Sequence, residues 1–240
     1  MGHLMNRQKK ITFFLFISFA FFLSCSVLPQ KFNTSFPTFK EMPKESAYIG
    51  VSMPGNSFAL LRAKWFSNRI YLPEDSSHLF LGNLTDSLVF KTLQNNYKNI
   101  NPLPKIKVKN WAEESIKLDE KIFIQGKFPA QNDTIFSEEN KPYDYLILIH
   151  EWTLGADLDK NQFFDYSLKA NEMDSKKQVK NLSIITSFTL WDNLKQIPLY
   201  SAVLNISDTA NQKNTLDLIS DLTIKITEQI PLQIKSGVQK

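Results

Sequence analysis

The ten residues from Tyr143 to Trp152 read YDYLILIHEW, and from Tyr145 onward apolar side chains fall on both faces of an extended chain. With a period of two, Leu146, Leu148, His150 and Trp152 point one way, and Tyr145, Ile147, Ile149 and Glu151 point the other. A strand apolar on both faces cannot lie at a solvated surface. The segment is therefore expected at the centre of a sheet covered on both sides.

The elements around it follow from shorter patterns. AYIGVSMPGNSFALLRA, residues 47–63, holds two β-rich runs on either side of Pro54-Gly55-Asn56, a turn signal, and predicts a hairpin. Leu81, Leu84, Leu88, Leu93 and Tyr97 recur near helical spacing, with Ser76 or Ser77 as the expected N-cap and Pro102 as the stop. KIKVKN (105–110) and KIFIQGKF (121–128) read as short strands. Lys105, Lys107 and Lys109 share one face of the first, the pattern of a solvated edge guarded by lysine rather than of a nucleic-acid or headgroup patch.

NLSIITSFTLW, residues 181–191, places Leu182, Ile184, Phe188 and Leu190 on one face and Ser183, Ser187 and Thr189 on the other, which predicts one buried and one wetter face. Asp192-Asn193 then turns it into a further strand, an antiparallel hairpin. Near the carboxyl end Leu216, Ile219, Leu222, Ile226 and Ile230 share a helical face, with Thr209 and Gln212 as a capping box and Pro231 as the stop. These patterns predict a single α+β domain over residues 47–240, a mixed or mainly antiparallel sheet covered by two main helices.

The first 25 residues obey different rules. Arg7, Lys9 and Lys10 precede a run, Ile11–Ser24, in which every residue is apolar or small and six are Phe: Phe13, Phe14, Phe16, Phe19, Phe21 and Phe22. A basic start, a short apolar stretch and small residues at its end form a secretory-signal pattern. The run falls short of the ~20 residues that cross a bilayer as a helix, though counting on through Leu28 lengthens it to a marginal anchor. As a core helix it lacks a polar face. Of the 28 basic residues those three lie before any acid, so 25 face 24 acids in the rest of the chain. That near balance offers no general attraction for nucleic acid.

The chain has one cysteine, Cys25, and an odd cysteine in an exported protein needs an explanation. FFLSC, Phe21–Cys25, resembles the lipobox of bacterial lipoprotein signal peptides. Ser24 is the small residue before the cut, and Phe22 stands where that family most often has Leu, with Leu23 one place later. The resemblance implies cleavage after residue 24 and acylation of Cys25, with the covalent lipid its only implied prosthetic group. It also implies a membrane-held envelope protein outside the cytoplasm. Ser26 lacks the aspartate that retains some lipoproteins at the inner membrane, which favours the outer membrane. Residues 25–46 carry Pro29, Pro37 and Pro43 and no periodic face, so they read as the acylated cysteine and an extended tether. The layout behind them is similar to small α/β domains of envelope lipoproteins and assembly factors, with no residue-level motif to transfer.

Chemistry is sparse, and no catalytic set is identified. His150-Glu151 begins like H-E-x-x-H, but Leu154 stands at the last position and the alternation is that of a strand, so the expectation is a partly buried histidine with a hydrogen-bond partner. His78, beside Asp75, Ser76 and Ser77, is read as helix-start material. No G-x-S-x-G or Gly-rich phosphate loop is present. Asp157, Asp159, Asn161 and Asp165 fall at positions 1, 3, 5 and 9 of a calcium loop, but Gln162 and Leu168 stand where the turn Gly and the bidentate Glu belong. They are a weak candidate Ca²⁺ site, and no other metal site is expected. Trp65, Trp111, Trp152 and Trp191 are read as core or rim packing ahead of a ligand face.

The function expected is thus a non-enzymatic, lipid-anchored envelope protein that binds a partner or assembles with itself. An envelope hydrolase using carboxylates such as Glu113-Glu114 or Glu138-Glu139, and a calcium or ligand module, are the alternatives.

Overall fold

The computed structural model describes residues 30–35, 43–44, 46–103, 111–118, 122–130, 133–156, 179–210 and 215–230. In chain order the elements are β1 (Gln30–Ser35), β2 (Ile49–Val51), β3 (Phe58–Leu61), α1 (Ala63–Ile70), α2 (Glu74–Asn96) and β4 (Ile100–Pro102). β5 (Trp111–Lys117), β6 (Phe123–Pro129), β7 (Tyr145–Ala156), β8 (Asn181–Asp192), β9 (Ile197–Thr209) and α3 (Thr215–Thr227) follow. This is a single α+β domain.

β7 is the axis of the sheet, as its two apolar faces require. β8 runs antiparallel along one side, and β2 and β3 run parallel along the other. The order is β1-β9-β8-β7-β2-β4 with β3 also against β7, a mixed seven-stranded sheet among the described residues. β8 and β9 form the expected hairpin, closed where Asp192 Oδ1 accepts the Leu194 and Lys195 N–H groups at 3.1 and 2.9 Å.

The hairpin expected around Pro54 does not form. β2 pairs with Tyr145–Ile147 and β3 with Trp152–Gly155, both in the direction of β7, so the two runs are one interrupted strand. Residues 52–57 face only residues 148–151 of β7, and the surplus coils into a one-turn 3-10 helix, Pro54–Asn56. Pro54 has no N–H for a ladder and its fixed φ suits the start of such a turn. The turn signal is genuine, but the chain does not reverse there.

One face of the sheet is covered by helices. Leu81, Val89 and Leu93 of α2 and Ile219, Leu222 and Ile226 of α3 are buried against Ile147, Ile149, Leu182, Ile184, Phe188 and Leu190. α2 starts after Pro73 rather than at a serine cap; Ser77 is buried one turn in, its Oγ donating to Pro73 O at 2.8 Å. Leu84 and Leu88 are only half-buried, because Thr85 and Val89 hold the centre of the face. Thr209 closes β9 and is therefore a strand residue, and Gln212, the other member of the expected capping box, lies outside the described residues.

The other face is covered by a separate two-stranded antiparallel ribbon, β5–β6. Ile122 and Ile124 lie over Ile185 and Val203, and Phe128 lies over Leu146, Leu148 and Trp191. Ser183, Ser187 and Thr189, expected on a wetter face, are therefore buried. The segment read as a tether also contributes to the sheet: β1 pairs antiparallel with β9, Gln30 opposite Asn205 and Ser35 opposite Tyr200.

Candidate functional site

Within β7 the ladder to β8 shifts register between Ile149 and Glu151, leaving His150 without an opposite residue. Such a bulge exchanges the faces of everything beyond it. Trp152, Leu154 and Ala156 consequently join Ile147 and Ile149 in the helix-side core, where strict alternation put Trp152 with Leu146 and Leu148. His150 stays on the ribbon side. Its Nε2 lies 3.0 Å from Thr189 Oγ1, which lies 2.9 Å from Ser201 Oγ, giving a chain of three polar side chains across β7, β8 and β9.

The ribbon closes over this chain. The Phe128 ring is 4.7 Å from the His150 ring, and any Cβ at position 126 would overlap the imidazole, so glycine is required there by close approach. Burial pushes His150 down to about 4, which keeps it neutral near pH 7. A neutral imidazole next to a hydroxyl has the partners of a general base, but Gly126 and Phe128 occupy the space in front of it. The arrangement specifies how the ribbon seats on the sheet.

The remaining candidates do not converge with it. Cys25 and the residues Asp157, Asp159, Asn161 and Asp165 lie outside the described residues, as do Lys105, Lys107 and Lys109. Glu113 and Glu114 are exposed on β5, and Glu138 and Glu139 are exposed in the turn between the bridged pair Phe136 and Pro142. Glu151 accepts a hydrogen bond from Thr153 Oγ1 at 2.9 Å. His78 is on α2, its Nε2 3.2 Å from Phe58 O and its ring edge-on to Phe58. Trp152 and Trp191 are buried, Trp111 at the start of β5 is half-buried against the cluster of Phe128 and Trp191, and Trp65 is half-buried beneath Arg69, whose guanidinium carbon is 5.3 Å from the ring. Among the described residues no group of three His, Cys, Asp or Glu side chains is placed to hold a metal ion.

One region was not anticipated from the sequence. Tyr71, in the turn joining α1 to α2, is 92% exposed, and Leu79 and Phe80 on the first turns of α2 are 65% and 41% exposed. Tyr71 also adopts φ 57, a left-handed conformation at the end of α1 where glycine is usual, and Arg62 at the start of α1 has φ 63. The only local signal is Ile70-Tyr71-Leu72 ahead of Pro73, which periodicity alone assigns to a buried face.

No protein-family model matches the chain, and no curated protein matches it. Among solved structures, the PelC dodecamer from Paraburkholderia phytofirmans aligns at a TM-score of 0.38 and 11% identity, covering 85% of this chain and 96% of that one. A dodecamer of a single-substitution variant of PelC aligns at 0.35 and 13% identity, covering 83% and 94%. At these scores the likeness carries no argument about what this chain does.

Proposed function

We propose that this chain is a lipid-anchored cell-envelope protein that binds or assembles with other envelope components and does not itself catalyse a reaction. The observation that carries the reading is the run Asn6–Cys25, in which a basic start, a short phenylalanine-rich stretch and Ser24 lead to the only cysteine of the chain. Acylation turns that thiol into a thioether, which removes the hazard of an unpaired cysteine in an oxidising compartment. Several acyl chains on one residue hold a protein stably at ~0.8 kcal/mol per buried CH₂, where one chain does not. Ser26 favours the outer membrane. His150 is hydrogen-bonded within the sheet and closed in by the ribbon, so the reading assigns it no reaction.

The test is Cys25→Ser with metabolic incorporation of a clickable fatty acid. Label is expected on the parent chain and absent from the variant, which should leave the membrane fraction. Continued labelling of the variant, or a free Cys25 thiol on an uncut chain, ends the reading. In-cell crosslinking of the parent, followed by identification of what is joined to it, names the partner.

A further inference from the structure

We propose that the end of the sheet carrying α1 and the α1–α2 turn rests on the phospholipid surface, so that the body touches the bilayer at a second point besides its anchor. The inference rests on the acylation of Cys25 argued above, and adds to it an orientation and a lipid-contact site at Trp65, Arg69, Tyr71, Leu79 and Phe80.

The argument begins with where the strands end. β7 finishes at Ala156 opposite Leu182, the second residue of β8, and Leu182 lies opposite Asp208 near the end of β9. β3 reaches the same end, with Leu61 opposite Gly155, and α1 starts two residues later. His78 of α2 lies at the level of Phe58, so the four helical residues before it continue toward that same end. β1 enters the sheet there too, with Gln30 opposite Asn205, four residues short of Thr209.

Chain length then limits how far the body can stand from the membrane. Cys25 is five residues before Gln30, a reach of at most ~18 Å when fully extended. The four residues of β9 beyond Asn205 use ~14 Å of it. Lys31 helps hold β1 in place, its ammonium 5.1 Å from the centre of the Tyr200 ring. With β1 paired, acyl chains on Cys25 can clear the end of the sheet by only a few ångströms.

What that end presents suits an interface. β1 and β3 are separated by β9, β8 and β7, which at ~4.8 Å per strand puts the corner ~19 Å from the anchor strand. The corner carries Trp and Tyr, the residues favoured at headgroup depth, with Arg62, Lys64 and Arg69 beside them and no acid between Arg62 and Leu72. Glu74 and Asp75 follow at once, so the apolar and aromatic side chains, and not net charge, carry the contact. Tyr71 is the telling residue. A non-glycine side chain in the left-handed region is costly, and at 92% exposure Tyr71 buries almost nothing within the domain in return.

The experiment uses the full acylated chain with one added cysteine, Tyr71→Cys or Leu194→Cys, labelled with an environment-sensitive dye. Leu194 is exposed in the β8–β9 turn at the opposite end of the sheet. The labelled chains are placed on phosphatidylcholine vesicles containing a nitroxide lipid, with and without phosphatidylglycerol. The dye at position 71 should be quenched several-fold more than that at 194, by similar factors on both lipid compositions. Adding Leu79→Glu should reduce that quenching while leaving the melting temperature unchanged.

Equal, weak quenching at both positions on a chain that stays with the vesicles overturns the orientation and leaves the anchor intact. Stronger quenching at 194 overturns it as well. A blue-shifted dye at 71 without vesicles assigns the corner to the chain's own remaining segments if concentration-independent, or to a second copy if not; either outcome ends the proposal. Absence of fatty-acid labelling on the parent chain is a separate result: it removes the anchor and, with it, the premise of this orientation.

Discussion

The two faces of the central sheet are built from the same strands yet solve burial in opposite ways. On the helix side the strands present Ile147, Ile149, Trp152, Leu182, Ile184, Phe188 and Leu190, and α2 and α3 close over a mainly apolar layer in which Thr186 is buried with its Oγ1 donating to Glu151 O. On the ribbon side the same strands present Ser183, Ser187, Thr189, Ser201 and His150 between Leu146, Leu148, Ile185, Trp191 and Val203, and a two-stranded ribbon closes over them. Buried hydroxyls need hydrogen-bond partners, and on this side some find them in one another. They do so in the His150–Thr189–Ser201 chain. The lesson is that burial alone does not distinguish the faces; the means of satisfying polar atoms does. The helix side depends on volume, and the ribbon side depends on fit and protonation.

Three perturbations test that contrast. The largest effect is expected on the helix side: Trp152→Ala removes the largest fully buried side chain among the described residues and should cost ~3–5 kcal/mol in chemical denaturation, at any pH between 4 and 8. A loss below about 1 kcal/mol would mean that the helix layer does not rely on packing volume.

The next is specific to the ribbon side. The folded state holds His150 at about 4, below its ordinary 6.5, so the unfolded chain binds the additional proton. Stability should therefore fall as pH drops from about 6.5 to about 4, by at most ~1.4 kcal/mol per pH unit from this group. In His150→Gln that component should vanish, and an unchanged pH slope would remove the histidine from the account.

The smallest is Gly126→Ala, which pushes a methyl into the imidazole and should cost ~1–3 kcal/mol. Hydrogen exchange should show the earliest loss of protection in β5 and β6 while α2 and α3 stay protected. Uniform loss across both layers would show that the two faces are one cooperative unit.

Much of this was legible in the chain itself. The doubly apolar run at Tyr145 required a central strand, and the spacing of Ile219, Leu222 and Ile226 required a helix with one buried face, because side-chain periodicity is a local property. The class of the fold followed. His150 as a strand residue with a hydrogen-bond partner was legible for the same reason, whereas Thr189 and Ser201 as its partners were not.

What the tertiary structure alone decided is everything that depends on which segments meet. Pro54-Gly55-Asn56 reads as a reversal until β7 is seen to take both flanking runs in one direction. Trp152 changes faces because one extra residue sits in a ladder whose other strand lies more than thirty residues away. Ser183, Ser187 and Thr189 are buried because a distant ribbon covers them, and Tyr71 is left exposed in the turn between α1 and α2. Sequence determines the period and polarity of each segment; pairing partners, bulges and covering layers are long-range choices that no local pattern encodes.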